Sequence, residues 1–104
     1  MQTIESQGEV LARRHDTLVL RVRYLPTPKP YIESKARGEE TLAELKVRML
    51  QQFGLVEGEA NGGRKEYAFA AHGLIQSNLG ETLATLAAGK QTLELNLLEQ
   101  FIQG

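Results

Sequence analysis

At 104 residues, with 41% hydrophobic and 24% charged side chains, the chain has the composition of an ordinary soluble globular protein and the length for one domain around a single modest core. It contains no cysteine, which excludes disulfides, thiolate catalysis and cysteine metal sites together. Twelve basic residues against thirteen acidic ones leave a net charge of -1, so the chain as a whole has no general attraction for nucleic acid.

The first fifteen residues are polar and mixed in charge, with Ile4, Val10, Leu11 and Ala12 as their apolar points. That is too little apolar surface to offset the entropy of ordering them, and residues 1–15 are expected to form a flexible leader. Its Arg13-Arg14-His15 cluster reads as solvated charge rather than a docking patch. The N-terminus lacks the apolar centre of a signal peptide and no apolar run is long enough to span a bilayer. A cytoplasmic protein with no membrane partner is expected.

From Asp16 the pattern sharpens. Leu18, Leu20, Val22 and Tyr24 alternate with Thr17, Val19, Arg21 and Arg23, as in a strand buried on one face. Pro26, Pro28 and Pro30 then fix the backbone and remove amide donors, which predicts a stiff extended turn. Such a stretch can also be a ligand for an aromatic groove, but a rigid hairpin loop is the simpler reading. Tyr31 to Ala36 predicts a short second strand with weaker alternation.

Thr41 with Glu44 three residues on forms a capping box, and a helix starts there. Leu42, Leu45, Met49 and Phe53 share one face, with Glu44, Lys46, Arg48 and Gln51 elsewhere. Gly54 supplies the left-handed position after the last turn and Leu55 its apolar partner. The Leu/Met/Phe stripe is core, with no reason to read it as a cofactor box. Residues 56–64 read as a loop with Asn61-Gly62-Gly63 at its tip. Its glycine pair lacks the spacing of a nucleotide loop, and no Lys-Ser/Thr follows. Lys65 to Ala71 predicts a third strand with Tyr67 and Phe69 on one face, Gly73 a tight turn, and Leu74-Ile75-Gln76 a short strand. Residues 78–90 predict a turn and a short helical piece whose Leu79, Leu83 and Leu86 plug the end of the core.

The last stretch organises the rest. In Thr92-Leu93-Glu94-Leu95-Asn96-Leu97 the three leucines occupy one strand face and the polar residues the other. The alternation then fails through Leu98-Glu99-Gln100-Phe101-Ile102-Gln103-Gly104. Residues 16–98 are therefore expected to form the domain and 99–104 a mobile, accessible tail. Strand, strand, capped helix, strand, short strand, short helix, strand describes an α+β domain, a mixed sheet with one main amphipathic helix packed across it. The long connection allows the first and last strands to pair in parallel at its centre, the β-grasp arrangement.

The chain resembles ubiquitin and its relatives over about residues 17–104. The likeness is carried by Thr41-Leu42-x-x-Leu45-x-x-x-Met49 with Gly54-Leu55, by Tyr67-x-Phe69, by Gly80-Glu81-Thr82-Leu83, and by Thr92-Leu93-x-Leu95-x-Leu97 with the terminal glycine. More narrowly, Arg23-Tyr24-Leu25-Pro26 and the Leu98-Glu99-Gln100-x-Ile102-Gln103-Gly104 end resemble bacterial ubiquitin-like proteins. The resemblance implies a modifier that is not itself an enzyme and holds no cofactor or metal. Its C-terminal carboxylate is activated as an acyl-adenylate by an E1-like adenylating enzyme, passed on by an E2-like conjugating enzyme, joined to an amine of a target protein, and released by a JAB-type metalloprotease. Gly104 is then the conjugated residue, where the absent Cβ permits close approach. Phe101, Ile102 and Gln103 are read by the enzyme's channel.

The ending departs from the usual modifier, with a single Gly104 after Gln103 and Glu99 in a region where basic residues are usual, which implies that eukaryotic-type activating enzymes do not accept it. The apolar patch of ubiquitin maps near Ala68 and Asn96, small or polar residues. Arg21, Arg23, His72 and Glu94 make the same face a charged partner-binding surface. Two other readings stay open: a noncovalent ubiquitin-like module, in which Phe101 and Ile102 are packed or partner-bound, and a sulfur carrier. Catalysis by the chain itself is not expected, since His15 and His72 are isolated and no carboxylate pair or triad spacing occurs.

Overall fold

The computed structural model describes residues 17–103. The leader expected over residues 1–15 and Gly104 lie outside them. Strand β1 (Thr17–Tyr24) buries Leu18, Leu20, Val22 and Tyr24 on one face, as the alternation requires. The proline-bearing turn ends it, with the Thr27 amide donating to the Tyr24 carbonyl at 2.9 Å. Strand β2 (Tyr31–Arg37) returns antiparallel, and its register slips between the pairs Leu18↔Ala36 and Leu20↔Glu33. That bulge breaks period two, which is why the alternation of this strand is weak in the sequence.

Helix α1 (Leu42–Phe53) is closed at its start by the expected capping box: the Glu44 amide donates to Thr41 Oγ1 at 3.2 Å and the Thr41 amide to Glu44 Oε1 at 3.0 Å. Its other orphan donors are taken by neighbouring chain. The Leu42 amide donates to the Glu81 carbonyl and the Ala43 amide to that of Leu79, both at 2.9 Å. Helix α2 (Leu83–Ala87) returns the arrangement, donating from Leu83 to the Glu40 carbonyl and from Ala84 to that of Gly38. The two N-caps, Thr41 and Thr82, meet in a β-bridge. Two helix starts thus satisfy each other's free amides, which otherwise need water or a side chain. At the far end of α1, Gly54 adopts φ +68° and the Leu55 amide donates to the Leu50 carbonyl at 2.8 Å, the expected left-handed stop.

Strands β3 (Gly58–Ala60), β4 (Gly63–Ala71), β5 (Leu74–Ile75) and β6 (Thr92–Gln103) complete a six-stranded sheet of order β2-β1-β6-β4-β3, with β5 also on β4. The loop expected over residues 56–64 is therefore largely a hairpin, turning at Asn61 and Gly62, both with positive φ. β1 and β6 run parallel at the centre from Val19↔Thr92 to Tyr24↔Leu97. Leu42, Leu45 and Met49 of α1 join Leu20, Val22, Phe69, Leu93, Leu95 and Leu97 in the core on one face of this mixed α+β sheet. Leu83 is buried and Leu86 packs partly against that core, but Leu79 is exposed, because the loop carrying it is held outward on the start of α1. Among the described residues, no helix is long and apolar enough to cross a membrane.

The expected mobile tail is strand instead. β6 continues antiparallel along β4 through Tyr67↔Glu99 and Lys65↔Phe101 to Gly63↔Gln103. Period two fails in the sequence there because β4 starts beyond the edge of the core: backbone pairing sets the strand, with no buried face to impose alternation.

Glu57, in the loop between α1 and β3, ties helix to sheet. It accepts the Lys46 ammonium at 2.6 Å and the Tyr67 amide at 2.7 Å. Burial pushes its carboxyl up, and these two donors more than offset it, holding the group below its ordinary value of 4.5. A lowered native pKa lends stability that is complete above the unfolded value and is lost as pH falls through the native one. The urea midpoint is therefore expected to fall as pH drops below about 4.5, and Glu57→Gln to flatten that fall. Equal slopes in the two proteins would show that Glu57 carries none of it.

Candidate functional site

The face of the sheet away from α1 carries most of the residues read from the sequence as a partner-binding surface. Thr92, Glu94 and Asn96 project from β6, and Arg21 and Arg23 of β1 stand in register with Glu94 and Asn96. Together with His72 and Gly73 at the β4–β5 turn, Arg21, Glu94 and Asn96 line a cleft of about 510 Å³. His72 has φ +55°, the conformation of a tight turn. The cleft also takes in Lys90 and Thr92. Thr92 was legible as a same-face neighbour of Glu94, whereas Lys90 sits after a turn that carries no periodic signal.

Arg21 Nε lies 3.4 Å from Glu94 Oε2, yet this nitrogen is enclosed and makes no hydrogen bond within the described residues. An ion pair this exposed is worth less than about 1 kcal/mol, so it sets the local charge pattern rather than the stability of the sheet. Arg23 does not line the cleft. It borders a separate hollow of about 150 Å³ with Leu25 and the proline turn.

Only part of this face is charged, which corrects the sequence expectation. On β6 the residue opposite Ala68 is Leu98, and Asn96 stands opposite Ala70. Ala68 and Asn96, where the apolar patch of ubiquitin maps, are thus diagonal neighbours on this face. Leu98 is 37% exposed, and Ile75, paired with Ala70, and Ile102 farther along β6 are exposed as well. A polar cleft thus adjoins exposed apolar residues, Ile75 and Leu98, which Gln100 and Glu66 separate from Ile102 on the same face.

At that end Phe101 and Ile102 point to opposite faces of β6 and both are about half exposed. Phe101 lies over Gly63 of β4: a Cβ at position 63 would sit 2.7 Å from Phe101 Cζ and still closer to the Ile102 carbonyl oxygen. Glu99 Oε1 accepts the Tyr67 hydroxyl at 3.1 Å. Burial first, and then this bond, raises the Tyr67 phenol above its ordinary range, so it stays a donor. Gln103 is the last described residue and pairs with Gly63; Gly104, the expected conjugation point, lies outside the described residues. The roles of Gly63 and Tyr67 escaped the sequence reading, although a glycine opening a strand is a signal for close backbone approach.

No family model matches the chain, and no curated protein matches it.

Proposed function

We propose that this chain is a β-grasp protein of the ubiquitin-like kind and acts as a protein modifier. In this reading the C-terminal glycine is adenylated by an E1-like enzyme, transferred by an E2-like enzyme to an amine of a target protein, and released by a JAB-type metalloprotease. The observation that carries it is the course of β6. This strand is the parallel partner of β1 at the centre of the sheet, anchored by buried Leu93, Leu95 and Leu97, and it runs on outside the core to Gln103. A rigid base thus carries the strand out of the core as far as Gln103, with Phe101 and Ile102 about half exposed. The modifier itself supplies no catalytic group; glycine at the reacting end gives the nucleophile its approach. The cleft of Arg21, His72, Glu94 and Asn96 is the surface by which charge-reading partners choose it.

One observation favours the noncovalent module instead: residues 98–103 are paired with β4, and Phe101 packs over Gly63. Intact-mass analysis of tagged protein from its own host separates the two. Under the modifier reading, higher-mass adducts form with the wild type and are lost when Gly104 is deleted. Absence of adducts, with partners still co-purifying with the deletion, would establish the noncovalent module.

A further inference from the structure

We propose that residues 98–103 form a latch, in which β4 holds the C-terminal end of the chain closed along the sheet until the end is peeled away. The inference rests on the modifier reading, because it concerns how the reacting end becomes available.

The boundary of the latch is set by Pro26. The β1–β6 ladder ends at Tyr24↔Leu97, where the proline turn takes β1 away without an amide to continue it. Beyond that point, among the described residues, β6 pairs with β4 alone, through Ala68↔Leu98 to Gly63↔Gln103. A ladder bonded on one side opens without disturbing a second one. The same boundary divides burial: Leu97 is 1% exposed, while Phe101 and Ile102 are 48% and 47% exposed. Peeling residues 98–103 therefore breaks hydrogen bonds and loosens the cover of Tyr67, which pairs with Glu99, but leaves Leu93, Leu95 and Leu97 in their ladder with β1, so the opening is local and lies below the free energy of global unfolding.

Two contacts hold the latch shut. The Tyr67 hydroxyl donates to Glu99 at 3.1 Å. Gly63 lets the Phe101 ring and the Ile102 carbonyl lie flat on β4, in space that any other side chain would occupy. Gly63 does not have positive φ, so a substitution there leaves its own backbone unstrained and acts on β6 alone. In the closed state the terminal residues are strand and cannot thread a narrow channel; in the open state they can.

The test is the rate at which a broad-specificity carboxypeptidase trims the full chain, with hydrogen exchange as a check on the core. Wild type is expected to lose its terminal residues slowly, and Gly63→Val to lose them at least about tenfold faster, because trimming follows the open population. Amides of residues 93–97 are expected to keep their protection in both. Should Gly63→Val fail to fold, a cysteine pair carries the test. Glu66 and Gln100 face each other across β4 and β6, and the chain has no other cysteine. Oxidised Glu66→Cys/Gln100→Cys protein is expected to be trimmed no further than residue 101 and to resist adduct formation, and reduction to let trimming pass that point and adducts form. Trimming of the wild type as fast as a free peptide of residues 91–104, or no difference between oxidised and reduced forms, would overturn the latch. Trimming needs no conjugating enzyme, so a latch confirmed by it while no adduct ever forms would overturn the modifier reading alone. Adducts formed equally by the oxidised form would overturn the latch and leave the modifier standing.

Discussion

Phe69→Ala is expected to lower the free energy of unfolding by about 3–5 kcal/mol. Phe69 is fully buried in the middle of β4, among the leucines of β1 and β6 and the apolar face of α1. Its ring cannot be replaced by collapse, because the chain on both sides is fixed in strand ladders, through Phe69↔Leu97 toward β6 and Ala70↔Ile75 toward β5. Truncation leaves a cavity as well as losing transfer energy. A domain of this size has about 5–15 kcal/mol in all, so the loss takes at least about a fifth of the stability and lowers the urea midpoint by a similar share or more. A shift of the midpoint equivalent to under about 1 kcal/mol would mean that the sheet and helix do not share this core.

Arg48→Met is expected to cost about 2–3 kcal/mol, somewhat less than breaking a fully buried ion pair because Arg48 is partly exposed. The guanidinium makes two 2.8 Å hydrogen bonds to Glu40 and one of 3.0 Å to Glu33, and its Nη1 lies 3.5 Å from the Tyr31 hydroxyl. These partners, Glu40 first and with burial opposing, hold it protonated well beyond its ordinary range. Glu40 is only 6% exposed. Its backbone also receives the first amide of α2. Removing the cation leaves an enclosed carboxylate at the place where the two helix starts meet. Glu40→Gln in the same protein is expected to recover most of the loss, because the uncompensated charge goes with it. Equal losses in the single and double variants, measured by urea unfolding, would show that packing rather than charge is at stake.

The parts of the fold that were legible in the sequence are those where a buried face or a cap dictates the residue type. β1, the first half of β6 and α1 each repeat leucine at their own period, and Thr41, Glu44 and Gly54 mark both ends of α1 by backbone chemistry. β3 and the start of β4 were read as loop because Gly58, Ala60 and Gly63 have little or no side chain with which to show alternation; Asn61-Gly62 was their one clear hairpin signal. Residues 99–103 were read as tail for a related reason, since their strand is specified by the backbone of β4. Of the cleft, Arg21, Glu94 and Asn96 followed from face assignment alone. Lys90 joined them through the turn after α2, and Leu98 was placed beside Ala68 by a register that only the sheet could set.

The proposal that Gly104 is the reacting residue is tested most directly by what it leaves behind on a target. Cleavage after Glu99 would leave Gln100-Phe101-Ile102-Gln103-Gly104 on any target to which the chain was joined. Peptide mass spectrometry of host proteins cut after glutamate is expected to find this five-residue remnant on a lysine amine. If the same peptide is found only with a free carboxylate, while partner proteins still co-purify, the chain is a binding module and its terminal glycine takes no part in bond formation.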